Sequence, residues 1–234
     1  MKEEARGLMA IWADVDAAYH LEFERWHNCE HMADRVTIPG FQLGFRYQGI
    51  GASPYSLMAY ETADSSVLKS EPYLRSKNNP TPWTREALSY FRNTERTIFN
   101  LVASVGKRPA TQAPYLFGLR FDPGSENEAE TLEALWEGFL VGIAAIPGGI
   151  RARLYGVNEK ISAIPTEEQR IYGSGPKRRP RFLVLVEMAT APPPENGAWR
   201  DLFRQDLPGD KRVQGIKNVN EERYWLRFVL QAPP

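Results

Sequence analysis

A chain of 234 residues with 42% hydrophobic and 25% charged side chains can build a core, which argues against disorder and leaves room for one large domain or two of roughly 100 residues. Lys plus Arg equals Asp plus Glu at 29 each, so no global field draws the chain to nucleic acid or to an anionic membrane surface. No apolar run approaches the ~20 residues of a bilayer span, the N-terminus MKEEARGLMAIWADVD lacks the apolar stretch of a signal peptide, and the single Cys29 can form no internal disulfide, so a cytoplasmic protein is expected.

Leu8–Val15 is apolar and β-compatible, and the charged, aromatic segment 21–34 that follows contains good helix formers and no Gly or Pro. The helix should stop before Ile38-Pro39-Gly40, where Pro disfavours helical geometry in the residue before it and Gly supplies a turn. Phe41, Leu43, Phe45 and Tyr47 then alternate with Gln42, Gly44 and Arg46, the period of a half-buried strand. A third strand is expected over 56–61, helices over 65–76 and 84–96 on either side of the turn-rich NNPTPW, and a fourth strand over 97–105. This β-α-β-β-α-β order is that of a ferredoxin-like unit.

The order returns after a linker at 107–113. YLFGLRF at 115–121 is a strand, 128–143 a helix, Ile146-Pro147-Gly148 a turn and GIRARLYGV a strand, with further strands at 182–188 and 224–230. The two IPG tripeptides, at 38 and 146, lie 108 residues apart, and a duplication is the economical explanation. The expected fold class is α+β: a ferredoxin-like half at 1–106 carrying the site and a scaffolding half at 114–234, their sheets packed face to face to bury what neither buries alone.

EFERWHNCEHMADRVTIPGFQLGFRY resembles the E-F-x-x-W-x-x-x-E-H-x-x-x-R-x-x-x-P-G-F stretch of the dimeric α+β barrel superfamily, in its EthD-like and related branches, and NNPTPWT is similar to its tandem members. The resemblance implies a barrel formed by the two halves of one chain, and a pocket beside His31 with Trp26, Glu30 and Arg35 at the other motif positions. His27 stands where Tyr is common. The superfamily's cofactor-free monooxygenases, isomerases, cyclases, dehydratases and heme-binding chlorite-dismutase branch share the fold, which does not choose among them.

On a helix of 100° per residue, Glu24, His27, His31 and Arg35 form one polar stripe flanked by Phe23 and Trp26. Such a stripe faces either water or a cavity. Histidine titrates near neutrality, so His31, with His27 as the second candidate, is expected to act as acid or base. Glu24 or Glu30 would orient the ring, and Arg35 would hold an anionic oxygen or cap the helix carbonyls. HNCEH also spells H-x-x-E-H, a zinc-peptidase signature, but no third ligand motif follows; a divalent metal at His27/His31 is the second reading. Cys29 reads as a small buried hydrophobe. By the 108-residue offset His27 and His31 become Leu135 and Phe139, so a single site in the first half is expected.

Strand alternation adds Trp12, Arg46 and Tyr60 as substrate-binding candidates, with Asp14 on the face of Trp12. A buried Arg46 would need an anionic partner. The long segment 158–181, with Lys177, Arg178, Arg179 and Arg181, reads as a solvated loop or as a lid whose basic end recruits an anionic substrate. The leading expectation is an enzyme that uses no cofactor and moves a proton with histidine, of isomerase, dehydratase, cyclase or lyase type, on an aromatic or polyketide-like small molecule. The alternatives are a heme- or metal-dependent oxidoreductase of the same superfamily and a non-catalytic ligand binder. The absence of histidine after His31 removes a proximal heme ligand from the second half. Sheet edges left open would allow a homodimer.

Overall fold

The structure, a computed structural model, describes residues 4–109, 111–123, 140–144, 147–173, 179–192 and 217–233. Eight strands are present among them: β1 (Gly7–Val15), β2 (Phe41–Gly49), β3 (Ser56–Thr62), β4 (Phe91–Gly106), β5 (Tyr115–Asp122), β6 (Gly149–Val157), β7 (Phe182–Met188) and β8 (Lys217–Gln231). They close into an antiparallel barrel in the order β1-β3-β2-β8-β5-β7-β6-β4. The two halves therefore meet edge to edge, through β2 with β8 and β4 with β6, as well as face to face across the barrel interior. Closing the ring pairs the backbone groups that each half would leave along its outer strands. None of the described strands has a free edge, so the edge pairing between chains that the sequence left open has no strand to use.

The duplication is visible in individual side chains. Gly40 and Gly148, of the two IPG turns, both hold positive φ (93° and 84°) before β2 and β6. An added Cβ would lie 2.6 Å from Val67 at the first and 2.1 Å from Thr190 at the second, so both turns require glycine for space as well as conformation. Asp14 and Asp122, at the same 108-residue offset, each bridge two strands. Asp14 accepts from the Tyr55 N–H at 3.0 Å and from Asn93 at 2.9 Å; Asp122 accepts from the Arg181 N–H at 3.0 Å and from Asn218 at 2.7 Å. Asn93 and Asn218 are the two non-glycine residues with positive φ among those described.

Side chains pack in three layers. Inside the barrel, Leu8, Ala10, Trp12, Phe45, Tyr47, Leu57, Phe99, Leu116, Tyr155, Leu185 and Tyr224 come from both halves. The outer face of the first half, with Met9, Ile11, Met58, Tyr60 and Ile98, packs against helices, and that of the second half packs around Phe117, Leu119, Leu154 and Val186. The interior also holds buried ion pairs. Arg120 donates to Glu95 at 2.6 Å and to Glu222, and its guanidinium lies 4.3 Å from the Trp12 ring; Arg153 joins Glu61 to Glu187, and Arg151 donates to Glu187 at 2.6 Å.

The first half's helices are α1 (His20–Trp26, His27–His31 and Met32–Val36, continuous), α2 (Glu71–Asn78) and α3 (Pro82–Ser89). The helix expected over 84–96 ends at Ser89 because Phe91 and Arg92 are already paired with Val15 and Asp14 of β1. That expected over 65–76 is a 3-10 turn (Ser65–Lys69) followed by α2, divided where Ser70 caps the Tyr73 N–H. In the second half only the short α4 (Val141–Ala144) falls within the helix expected at 128–143, and Leu135 and Phe139 lie outside the described residues. The segment expected as a solvated loop forms α5 (Glu159–Ser162) and α6 (Glu167–Tyr172), which pack onto the first half. Lys177 and Arg178 lie outside the described residues. Among those residues no helix is long and apolar enough to cross a membrane.

Candidate functional site

The middle of α1 is a π-helical turn spanning HNCEH. Its wider i→i+5 spacing turns Trp26 toward His31, whose ring centroids are 4.4 Å apart, closer than the 5.8 Å between His27 and His31. His27 is fully buried and His31 is 6% exposed, so this face of the helix is not solvated. Trp26 Nε1 donates to Thr84 Oγ1 at 3.1 Å, and Thr84 in turn donates to Glu30 at 3.2 Å, which fixes the indole against α3. His27 Nε2 shares a 3.2 Å hydrogen bond with the Tyr60 hydroxyl, which points outward from β3 under the helix. Nδ1 of each imidazole is buried without a hydrogen-bond partner among the described residues.

One turn on, Arg35 is buried and donates to Ser76 of α2 and to Glu168 of α6; Lys77 donates to the other oxygen of Glu168. Next to this group Arg96 of β4 donates to the Tyr73 hydroxyl at 3.2 Å, while Tyr73 donates to the Met9 sulfur at 2.9 Å. Tyr172, at the end of α6, stacks on Phe91 at 6.4 Å, and Phe91 lies 6.0 Å from Trp26. An aromatic wall thus runs from His31 through Trp26 and Phe91 to Tyr172. An open groove of about 710 Å³, bordered by Asn78, Pro165, Thr166, Gln169 and Gly173, lies over α6.

Electrostatics set the state of these groups. Burial, then the positive charge of Arg46 near His27 and of Arg35 near His31, holds both imidazole pKa values well below the usual 6.5, so both rings are neutral at pH 7. Burial raises Tyr60 and keeps it a phenol. Burial opposes the charge on Glu168, but Arg35 and Lys77 outweigh it and hold the carboxyl below its ordinary range. Lys77 is lowered, chiefly by burial.

Of the residues singled out in the sequence, His27, His31, Trp26, Tyr60 and Arg35 come together. Glu30 sits at the edge, accepting from Thr81 at 2.6 Å and from Thr84. Glu24 meets Arg46 at 3.4 Å and Arg227 at 2.8 Å, so the partner Arg46 requires is present, but neither carboxylate orients a histidine; Tyr60 makes that contact. Trp12 faces the barrel interior, on the other side of the sheet from the histidines. Cys29 is exposed rather than buried, since it lies on the outer side of the π turn. Lys77, Glu168, Arg96, Tyr73 and Tyr172 were not anticipated. The Thr166-Glu-Glu-Gln169 pattern is a capping-box signal that marks α6, but nothing local says where α6 docks.

No metal site fits. Among the described residues no three His, Cys, Asp or Glu side chains converge to hold an ion. A heme iron needs an imidazole nitrogen facing an open ring-sized slot, whereas the His27 ring is enclosed by Phe23, Trp26 and Tyr60 and the His31 ring lies against Trp26.

No protein-family model matches the sequence, and no curated protein matches it. Solved structures do. An anthrone oxidase-like protein aligns over 100% of this chain and 95% of its own with TM-score 0.61 at 10% identity. A monooxygenase candidate from Fusobacterium nucleatum aligns over 98% and 96% with TM-score 0.58 at 8% identity. The chain has the dimeric α+β barrel fold. Within that fold it is also similar to a chlorite dismutase from Candidatus Nitrospira defluvii, over 96% of this chain and 92% of that one, with TM-score 0.50 at 7% identity. In this dimeric α+β barrel the histidine cluster lies between the outer face of the first half's sheet and its helices, not in the barrel interior.

Proposed function

We propose that the protein is a small-molecule enzyme that uses no cofactor, in which His31 removes a proton from a weakly acidic C–H or O–H group of an aromatic or polyketide-like substrate. The observation that carries this is an imidazole held neutral by burial and then by neighbouring cations, with an Nδ1 that has no hydrogen-bond partner among the described residues and aromatic rings beside it. A neutral imidazole accepts a proton, and the charge left on the substrate is stabilised by the nearby Arg35 and Lys77. Tyr60 fixes His27, and His27 is the positioning residue behind His31.

The names of the structural relatives, an oxidase-like protein, a monooxygenase candidate and a chlorite dismutase, favour the oxidoreductase alternative over the lyase and isomerase readings of the sequence. A cofactor-free oxidation joins the two. His31 takes a proton from a CH2 flanked by aromatic rings, the carbanion reduces O2 and bonds one of its oxygens, and loss of water leaves a ketone; one CH2 and one O2 give one C=O and one H2O.

The test is oxygen consumption by wild type and His31→Gln over a panel of anthrone-type ketones. A fall in turnover of about 10²–10⁴ with a nearly unchanged melting curve is expected. A large loss of stability with retained turnover would remove His31 from the chemistry.

A further inference from the structure

The cluster beneath α6 carries more positive charge than it neutralises. Arg35, Lys77 and Arg96 are all at most 3% exposed, and Glu168 is the carboxylate that bonds to any of them. Glu168 spends both oxygens on Arg35 and Lys77, and among the described residues the Arg96 guanidinium bonds to the Tyr73 hydroxyl alone. Nε and Nη1 of Arg96, Nε of Arg35 and the hydroxyl of Tyr172 are buried with no hydrogen-bond partner among the described residues. Burying a guanidinium with two unused N–H groups is costly, and a charged acceptor relieves that cost better than any neutral group.

We propose that Arg96, flanked by the hydroxyls of Tyr73 and Tyr172, is the docking point for the carboxylate of an aromatic acid. The free Nε–H and Nη1–H lie on opposite edges of the planar guanidinium, each beside the Nη2 that meets Tyr73, so a carboxylate can bond to either edge. Tyr172 adds a further hydrogen bond, and Arg179 of the basic segment is close enough to Tyr172 to act on its charge. The aromatic character follows from the wall of Tyr172, Phe91 and Trp26, which leads from this point to His31. As a statement about the substrate the inference rests on the function proposed above; as a statement about an anion site it stands on Arg96 alone.

Titration calorimetry on the full chain with benzoate and with the neutral isostere benzamide tests it. Wild type should bind benzoate at least about tenfold more tightly than benzamide, and R96Q should lose that preference. R96K, which keeps the charge without the planar guanidinium, should retain only part of it, and serves if R96Q does not fold. Equal binding of the two compounds by wild type, or an undiminished preference in R96Q, overturns the site. A wild type that prefers benzoate but turns over no substrate overturns the proton-transfer reading instead.

Discussion

His27 and His31 have a thermodynamic signature. In the folded state both are held well below the usual 6.5, so between the folded and unfolded pKa values the unfolded chain binds more protons than the native one. Stability contributed by the neutral rings is therefore complete above about pH 6.5 and is lost as pH falls below it, by at most about 1.4 kcal/mol per pH unit for each histidine. Denaturant unfolding at pH 5 and 7.5 should show a smaller pH difference in H27Q and H31Q than in wild type; an unchanged difference would mean that neither ring is buried neutral. Glu168, unlike the histidines, is buried as a charged group. Glu168→Ala leaves Arg35 and Lys77 buried without their carboxylate and should cost about 3–5 kcal/mol, whereas Glu168→Gln, which keeps the shape and an acceptor, should cost less.

At the scale of elements, the π turn and the two IPG turns decide the geometry. An uninterrupted α-helix places His27 and His31 on one face, which is legible in their spacing, but the contact of Trp26 with His31 five residues on needs the π turn, which no residue in HNCEH announces. The strands were legible because alternating apolar residues have one period, and the duplication because the IPG turns demand glycine at positive φ. Which face of a strand meets the helices is a tertiary fact, so Trp12 and Tyr60 could be assigned to strands but not to one pocket. The same applies to α6, whose cap is local and whose docking partners lie 91 and 133 residues away in Lys77 and Arg35. Gly148→Ala should destabilise by more than Gly51→Ala. Both have positive φ, but a Cβ at 148 meets Thr190 at 2.1 Å while one at 51 meets nothing within 4 Å. Equal melting temperatures for the two variants would contradict the crowding.

As a whole molecule, the barrel makes the halves interdependent. Both seams are strand pairings, the interior core draws on both halves, and Arg153 joins Glu61 of the first to Glu187 of the second. Unfolding should therefore be a single transition, coincident by far-UV and near-UV circular dichroism; two separated transitions would show halves that fold alone. The candidate site depends on this unity, because α6 belongs to the second half of the sequence and supplies Glu168 and Tyr172 to a cluster built on the first. At the centre of the molecule stands the proposed role of His31 as a neutral base. Its most direct test is deuterium incorporation from D2O, without oxygen, into the acidic C–H positions of anthrone-type ketones, which isolates proton removal from oxidation. Wild type should accelerate exchange into at least one of them by about 10² or more over H31Q. Exchange at the wild-type rate in folded H31Q, or no exchange above the uncatalysed rate with wild type, would contradict it.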